Sequence, residues 1–404
     1  MVPSMTSMTL PSDTPRPRSR WPLFAIPILL LIAAAAWSAF WFYAVSQAEV
    51  KADAWRAQEA KSGRRYDCAK QSISGYPFRL EVRCDGARVA LTSQTAGAAS
   101  APVTIDLGEI LAVAQIYDPK LLIAEFKSPA TISETANAPA MQVSWSVARS
   151  SVVGLPAIPQ RASIVFDDVG IDRVNNNAVQ VPVARAKHVE LHGRLAEGST
   201  AKDPIIESVL KIEAGSAQDV HPVLARPFGA DIHAKLIGLK DLTPKPWPQR
   251  FRELQAGGGQ VEIVQSRIQQ DDLIAIAAGS LGLNAQGQIT GELQMTVTGL
   301  EKIIPALGIE KMLEDGVPQA TLDRVAPGVR SQDVTNLLGA LDKAIPGLGK
   351  VVKQNANAGV AAGINALGTA ATLEGKPART FPLRFADGTV YLGPLKVGQV
   401  PPLF

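Results

Sequence analysis

The stretch KHVELHG sets His188 and His192 four residues apart with Glu190 between them. On a helix that spacing could grip a metal ion. The residues around it alternate as a strand does, which puts the pair about 13 Å apart along the backbone at about 3.3 Å per residue. A zinc-type site needs three or four convergent ligands, and the remaining histidines, His221 and His233, lie far along the chain. No metal is expected. Asp167-Asp168 and Asp271-Asp272 are adjacent carboxylates. Neighbours on a strand point to opposite faces, so both pairs read as loop or turn residues rather than an acid/base couple. AAGSLG has Ala278 where a nucleophile elbow needs glycine, and AIPGLGKVV has Val351 where a phosphate loop needs Ser or Thr. The expectation is a protein without catalytic residues, metal or cofactor.

The compartment is set by the N-terminus. Met1–Arg20 is rich in Ser, Thr and Pro and reads as a disordered tail carrying Arg16, Arg18 and Arg20. No charge occurs from Trp21 to Ala48, and about 20 apolar residues suffice to cross a bilayer. The arginines put the N-terminus in the cytoplasm and the bulk of the chain in the periplasm, anchored in the inner membrane by a single pass. Trp37, Trp41, Phe42 and Tyr43 then form an outer interfacial belt. The alternative is a signal peptide cleaved after Ser46-Gln47-Ala48, although its apolar run exceeds the usual 7–15 residues or so. In an oxidising compartment Cys68 and Cys84, the two cysteines of the chain, are expected to pair. Closing such a loop stabilises by about 3 kcal/mol in the chain-entropy model. Two buried free thiols are the alternative.

The elements follow from periodicity. Glu49–Gly63 reads as a charged stalk helix capped by Gly63. GYPFRLEVRC alternates Tyr76, Phe78, Leu80, Val82 and Cys84 against polar residues, as a half-buried strand does. A turn at Gly75-Tyr76-Pro77 with Ser74 facing Phe78 would set Cys68 opposite Cys84, but it also puts Lys70 and Ser72 on the apolar face. Asp85-Gly86 reads as the next turn. Met141, Val143, Trp145 and Val147 alternate in a second strand. Ile289, Leu293, Met295 and Val297 do so in the return strand of a hairpin spanning Ser280–Gly299. Phe381, Leu383 and Phe385 lead into an Asp387-Gly388 turn. PWPQRFRELQAGGG is a short helix ended by glycines, and residues 300–315 and 332–367 carry helical spacing. The fold class is therefore α+β. An N-terminal transmembrane helix (21–48) and stalk (49–63) precede a β-rich domain (64–404). That domain is an extended, largely antiparallel curved sheet with C-terminal helices packed on its apolar face.

GRRYDCAKQSISGYPFRLEVRC, VAQIYDPKLLIAEFKSP, Gly257-Gly258-Gly259 and DGTVYLGPLKVGQVPPL together resemble an uncharacterised alphaproteobacterial envelope family, domain of unknown function 2125. The resemblance implies a membrane-anchored, exported protein with no assigned activity, so no catalytic residue follows from it. LGLNAQGQITGELQMTVTGL is similar, at the level of fold, to AsmA-like envelope proteins, whose curved sheets are associated with lipid handling. The net charge of +3 is scattered and aromatics are 5%, so nucleic acid is not an expected partner. The expected partners are the inner membrane and a lipid or other apolar ligand. The ligand would lie on a face made by Phe78, Leu80, Val82, Val143 and Trp145, continued by Leu293, Met295, Val297, Phe381 and Leu383. The alternative is a scaffold or assembly factor that binds an envelope protein through sheet edges.

Overall fold

The computed structural model describes residues 21–299 and 368–404, apart from 93, 96–97, 100–102, 134–139, 156, 175–178, 219–221, 244 and 393–394. Within 300–367 it describes only 331–332, 343, 355 and 357, so the expected C-terminal helices lie outside the described residues. A single helix, α1 (Trp21–Lys61), runs unbroken through both the apolar run and the charged stretch after it. It is long and apolar enough to cross a membrane, with mean hydropathy 2.1 over its apolar part and 6% of that part buried. Gly63, at φ +79°, turns the chain, and Thr92 ties the turn down by donating its N–H and its hydroxyl to Gly63 O.

Beyond the turn the described chain is mostly strand. In order the strands are β1 (Arg64–Ser74), β2 (Arg79–Leu91), β3 (Val103–Gln115), β4 (Leu121–Phe126), β5 (Ala130–Ser133) and β6 (Ala140–Ser144). Next come β7 (Val147–Val153), β8 (Arg161–Val174), β9 (Gln180–Leu195), β10 (Ile206–Ala217), β11 (Phe228–Ile237) and β12 (Gln260–Gln270). The last are β13 (Leu273–Leu283), β14 (Ile289–Thr298), β15 (Thr369–Leu373), β16 (Lys376–Ala386), β17 (Thr389–Leu392) and β18 (Leu395–Gln399). These eighteen join one antiparallel sheet, while Gln94–Thr95 and Ala98–Ala99 pair in a separate two-stranded sheet between β2 and β3. β4 with β5, and β7 with β6, lie end to end as single lanes beside β3 and β8. A short helix, α2 (Trp247–Ala256), interrupts the β11–β12 connection and ends at Gly257, as its sequence requires. The Ser280–Gly299 hairpin forms, pairing Leu281 with Gly291, and the Asp387-Gly388 turn joins β16 to β17.

A seam of irregularity crosses the sheet at one level. The ladders skip Ala69, Gly86 and Gly108 in β1, β2 and β3. The lanes break between β4 and β5 and at Trp145-Ser146. The ladders then skip Asp168 in β8, Lys187 in β9 and Ala214 in β10. Gly86, Asp168 and Ala214 all have positive φ, of +63°, +50° and +49°. Facing strands each leave a residue out of the ladder there without a change of register, unlike a β-bulge, in which two residues oppose one. The consequence is visible in β1, where exposed and shielded residues alternate except that Ala69 and Lys70 are both exposed. Inward positions thereby change from Ile73 and Gln71 to Cys68 and Tyr66.

Four sequence expectations are corrected by this seam and by the hairpin tip. Ser74 pairs with Glu81, not Phe78, and Cys68 faces Ala87. The disulfide still forms, because the skipped pair brings Cys68 and Cys84 to a Cα–Cα distance of 5.6 Å, and Lys70 and Ser72 stay exposed. Asp85-Gly86 is not a turn: β2 continues through it, held by neighbours on both sides. Met141–Val147 is not one strand but two, with Trp145 in the break and Val147 turned outward. Asp167 and Asp168 lie inside β8 rather than in a loop.

Trp145 fills the seam from the apolar side. It is 9% exposed and donates its indole N–H to Phe126 O at 2.8 Å. It packs with Ala130, Ala148, Ile105, Leu107, Val143 and Phe166, residues from both sides of the seam. The apolar face is therefore one face throughout. A second core, Ile274, Leu373 and Ala378 with Ile276 and Ala371, packs at the β13–β16 end on the other face, where Ile274 pairs with Thr298 and Thr298 with Ala378.

The hairpin β13–β14 needs glycine at Gly279 and Gly291, where φ is +149° and +134° and an added Cβ would lie 2.2 Å from Glu292 O and Ser280 O. Either Gly→Ala change is expected to cost more than about 2 kcal/mol in denaturant unfolding, because a neighbouring backbone must move. Gly375→Ala, at φ +74° with nothing within 4 Å, should cost only about 1 kcal/mol, the left-handed penalty alone.

Candidate functional site

Directly paired residues of an antiparallel ladder point to the same face, so the pairings define rows across the sheet. One row links Leu80, Ala114, Leu122, Val152, Ala162 and Gly193. It continues through Ser208, Ala234, Ile263, Gly279, Leu293, Leu383 and Leu392. The next row starts at Ile73 and Val82 in β1–β2 and reaches Ile164, Leu191, Leu210 and Ile232 in β8–β11. It ends at Met295 and Phe381. No charged side chain enters either row. Strands lie about 4.8 Å apart, so each row is on the order of 60 Å long.

The residues singled out in the sequence fall unevenly on this face. Leu80, Val82, Leu293, Met295, Phe381 and Leu383 belong to the two rows. Leu293 opposes Leu383, and Met295 opposes Phe381. Val297 and Phe381 are buried, and Trp145 and Val143 belong to the seam core. Phe78 is not in the strand: it sits at the hairpin tip, 60% exposed, against Trp37 of α1. The open part of the face is its middle, where Leu191 is 45% and Ile268 38% exposed. Sequence alternation missed Leu191, Leu210 and Ile232, whose strands carry fewer aromatic residues. Their signal was the alternation in HVELHGRL, VLKIEAG and GADIHAKLI.

The opposite face is laced with ion pairs. Arg83–Glu109, Arg149–Glu125 and Arg194–Glu207 span neighbouring lanes at 2.7–2.8 Å, and Arg267 of β12 reaches Glu374 in the β15–β16 turn at 2.9 Å. A groove of about 790 Å³ crosses β7–β12 there, lined by Arg161, Arg194, Glu207, Lys235, His192 and His233. Beside it, at the seam, a shallower cleft of about 490 Å³ is lined by Ser146, Asp167, Asp168, Lys187, His188 and Glu190, with Lys211 and Glu213. Its centre is His188. The ring Nδ1 meets Asp167 Oδ1 at 2.5 Å and Nε2 meets Glu190 Oε1 at 2.6 Å. Glu190 also holds His192 Nε2 at 3.0 Å. Hydrogen bonds donated to Glu190 first, and then to Asp167, raise the His188 pKa. His188 and then His192 lower that of Glu190 to about 2. With both ring nitrogens engaged by carboxylates, His188 presents no free lone pair to a substrate or metal. Among the described residues, no group of three or more His, Cys, Asp or Glu is arranged to hold a metal ion.

A third cluster braces α2. Lys245 Nζ sits between Asp241 Oδ2 (2.6 Å) and Glu253 Oε2 (2.7 Å), and Arg250 bridges the same two acids. Lys245 first, and the Thr243 hydroxyl next, hold the Asp241 carboxyl well below the usual range. Arg64, paired with Glu59 at the end of α1, also donates to Lys245 O at 3.2 Å. The α2 corner thus returns to the helix end across the span of β2–β10, so the sheet is curled.

These features define a class: an N-terminal apolar helix carrying a one-layer, two-faced antiparallel sheet. The chain belongs to the family described as uncharacterized protein conserved in bacteria (DUF2125), whose profile matches residues 41–401. The looser AsmA-like similarity is not shown by that match. No curated protein matches the chain.

The His188 cluster gives a pH signature. A raised His188 pKa contributes stability that is complete below its ordinary 6.5 and lost as pH rises through the folded value. The lowered Glu190 pKa contributes stability that is complete above its ordinary 4.5 and lost as pH falls toward about 2. The Tm difference between the protein and His188→Gln should therefore peak between about pH 4.5 and 6.5 and shrink on either side. A difference independent of pH would contradict the cluster as described.

Proposed function

We propose that this is a single-pass inner-membrane protein whose sheet lies in the periplasm and holds the acyl chain of a lipid along its apolar face, without catalysis. The carrying observation is the pair of uncharged rows that begin at Leu80 and Val82, beside α1, and run on to Leu392 and Phe381. Their middle leaves Leu191 and Ile268 exposed. Large apolar surface left in water is a cost that soluble proteins avoid unless a ligand uses it. An acyl chain needs a long, dry, uncharged track rather than a directed polar pocket, and the rows supply one. Arg16, Arg18 and Arg20 ahead of the uncharged run support an N-in orientation.

Native mass spectrometry of the detergent-extracted protein should show bound phospholipid or fatty acid. Leu191→Asn, an exposed site, should lower that occupancy while changing stability by no more than about 0.5 kcal/mol. Leu293→Gln should lower it with a larger stability cost. A reporter fused after Phe404 should be active only in the periplasm. Lipid-free protein, or occupancy indifferent to Leu191→Asn, would remove the lipid reading and favour a scaffold that binds a protein partner.

A further inference from the structure

The β1–β2 hairpin tip does not stand above the apolar run of α1; it lies alongside it. Trp37 donates its indole N–H to Pro77 O at 2.8 Å, and Trp41, one turn later, donates to Arg79 O at 3.1 Å. Ser38 Oγ and Tyr76 OH are 2.8 Å apart. The Trp37 ring packs on Phe78 and the Trp41 ring meets Tyr76 edge-on. Trp41 is only 6% exposed as a result. The uncharged run continues past these residues to Ala48. From Trp21 to Trp41 an α-helix rises about 30 Å, the thickness of a bilayer's hydrocarbon core.

The tip nevertheless leaves large apolar surface bare. Tyr76 is 54% and Phe78 60% exposed. Tyr117, in the β3–β4 turn, is 67% exposed, and its neighbour Ile116 donates its N–H to Phe78 O at 3.1 Å. On α1, Phe42 and Tyr43 are 65% and 62% exposed. Aromatic rings with one polar end partition to the headgroup boundary. Arg79, paired with Glu81 at 2.8 Å, and Lys120 flank the tip, and Asp118 shares the β3–β4 loop.

Resting on the reading of α1 as a membrane span, we propose that the tip Tyr76–Phe78, with Tyr117, is a second membrane contact. It is an aromatic foot inserted at the interface of the same leaflet from which α1 emerges. The occupant is the lipid surface itself. The foot seats the Leu80 end of the apolar row at the bilayer boundary.

The test uses the full chain in vesicles of phosphatidylethanolamine and phosphatidylglycerol. Phe78→Cys, Tyr117→Cys and, as a control, Val179→Cys are each labelled with an environment-sensitive dye. Val179 lies in the β8–β9 connection, at the strand ends opposite Leu80. Bromine on the upper acyl chain should quench the dye at 78 and at 117 several-fold more than at 179, with a blue-shifted emission. Among the described residues Tyr117 has no hydrogen bond or ring contact with α1, so its label reports even if the label at 78 disturbs the clamp. Carbonate washing separates the two readings. Protein retained by the membrane with both dyes unquenched overturns the foot and leaves the anchor standing. Protein released with both dyes unquenched overturns both.

Discussion

A strand has a period of two, so a step out of alternation in one strand must be matched by the facing strand or absorbed by a bulge against it. That constraint governs this sheet. From Ala69 to Ala214 each lane spends an unpaired residue, or breaks, at the same level. Where the seam ends, at β10, a one-sided bulge absorbs the step: Ile212 pairs with Ala230 and Gly215 with Phe228. The positive φ of Asp168 and Ala214, a conformation that side chains adopt at a cost of about 1–2 kcal/mol, falls at this step. Trp145 then seals the seam from the apolar side, and the His188 ion cluster spans it on the other.

The same economy explains why there is so little conventional core. The described residues bury two small clusters, at the seam and at the β13–β16 end. Between them the sheet is held by its ladders and by ion pairs across lanes, each worth little alone at an exposed surface. The long-range ties are at the helix. Trp55 packs on Tyr66 with ring centroids 4.7 Å apart, Arg56 bonds Gln71, and Glu59 pairs with Arg64 at 2.5 Å. β1 is thereby strapped along the outer half of α1, which in turn orders every strand paired after it.

Much of this was legible in the sequence. The β13–β14 and β16–β17 hairpins, α2, the disulfide and the apolar span follow from alternation, turn chemistry, glycine stops and compartment. What failed was register. Gly86 looks like a turn because Asp-Gly normally makes one, and only pairing on both flanks keeps it inside β2. Met141–Val147 alternates perfectly, yet Trp145 is worth more in the seam than in a strand. The histidine reading was right about strand geometry and could not reach the pairing of His188 with Asp167, because a cross-strand partner 21 residues away depends on a register that composition does not carry. The apolar residues at 300–315 and 332–367 lie outside the described residues.

The unbroken course of α1 has a mechanical consequence. Its 41 residues form one rod of about 60 Å, half of it beyond a bilayer's core. Transmembrane helices tilt by about 20° on average and adjust that tilt to bilayer thickness. A swing of that size displaces the outer end of the rod by about 10 Å, using the same rise per residue. Because β1 is strapped along the rod, the sheet edge swings with it. With α1 spanning the bilayer as proposed, membrane thickness sets the angle at which an eighteen-stranded sheet leans over the lipid.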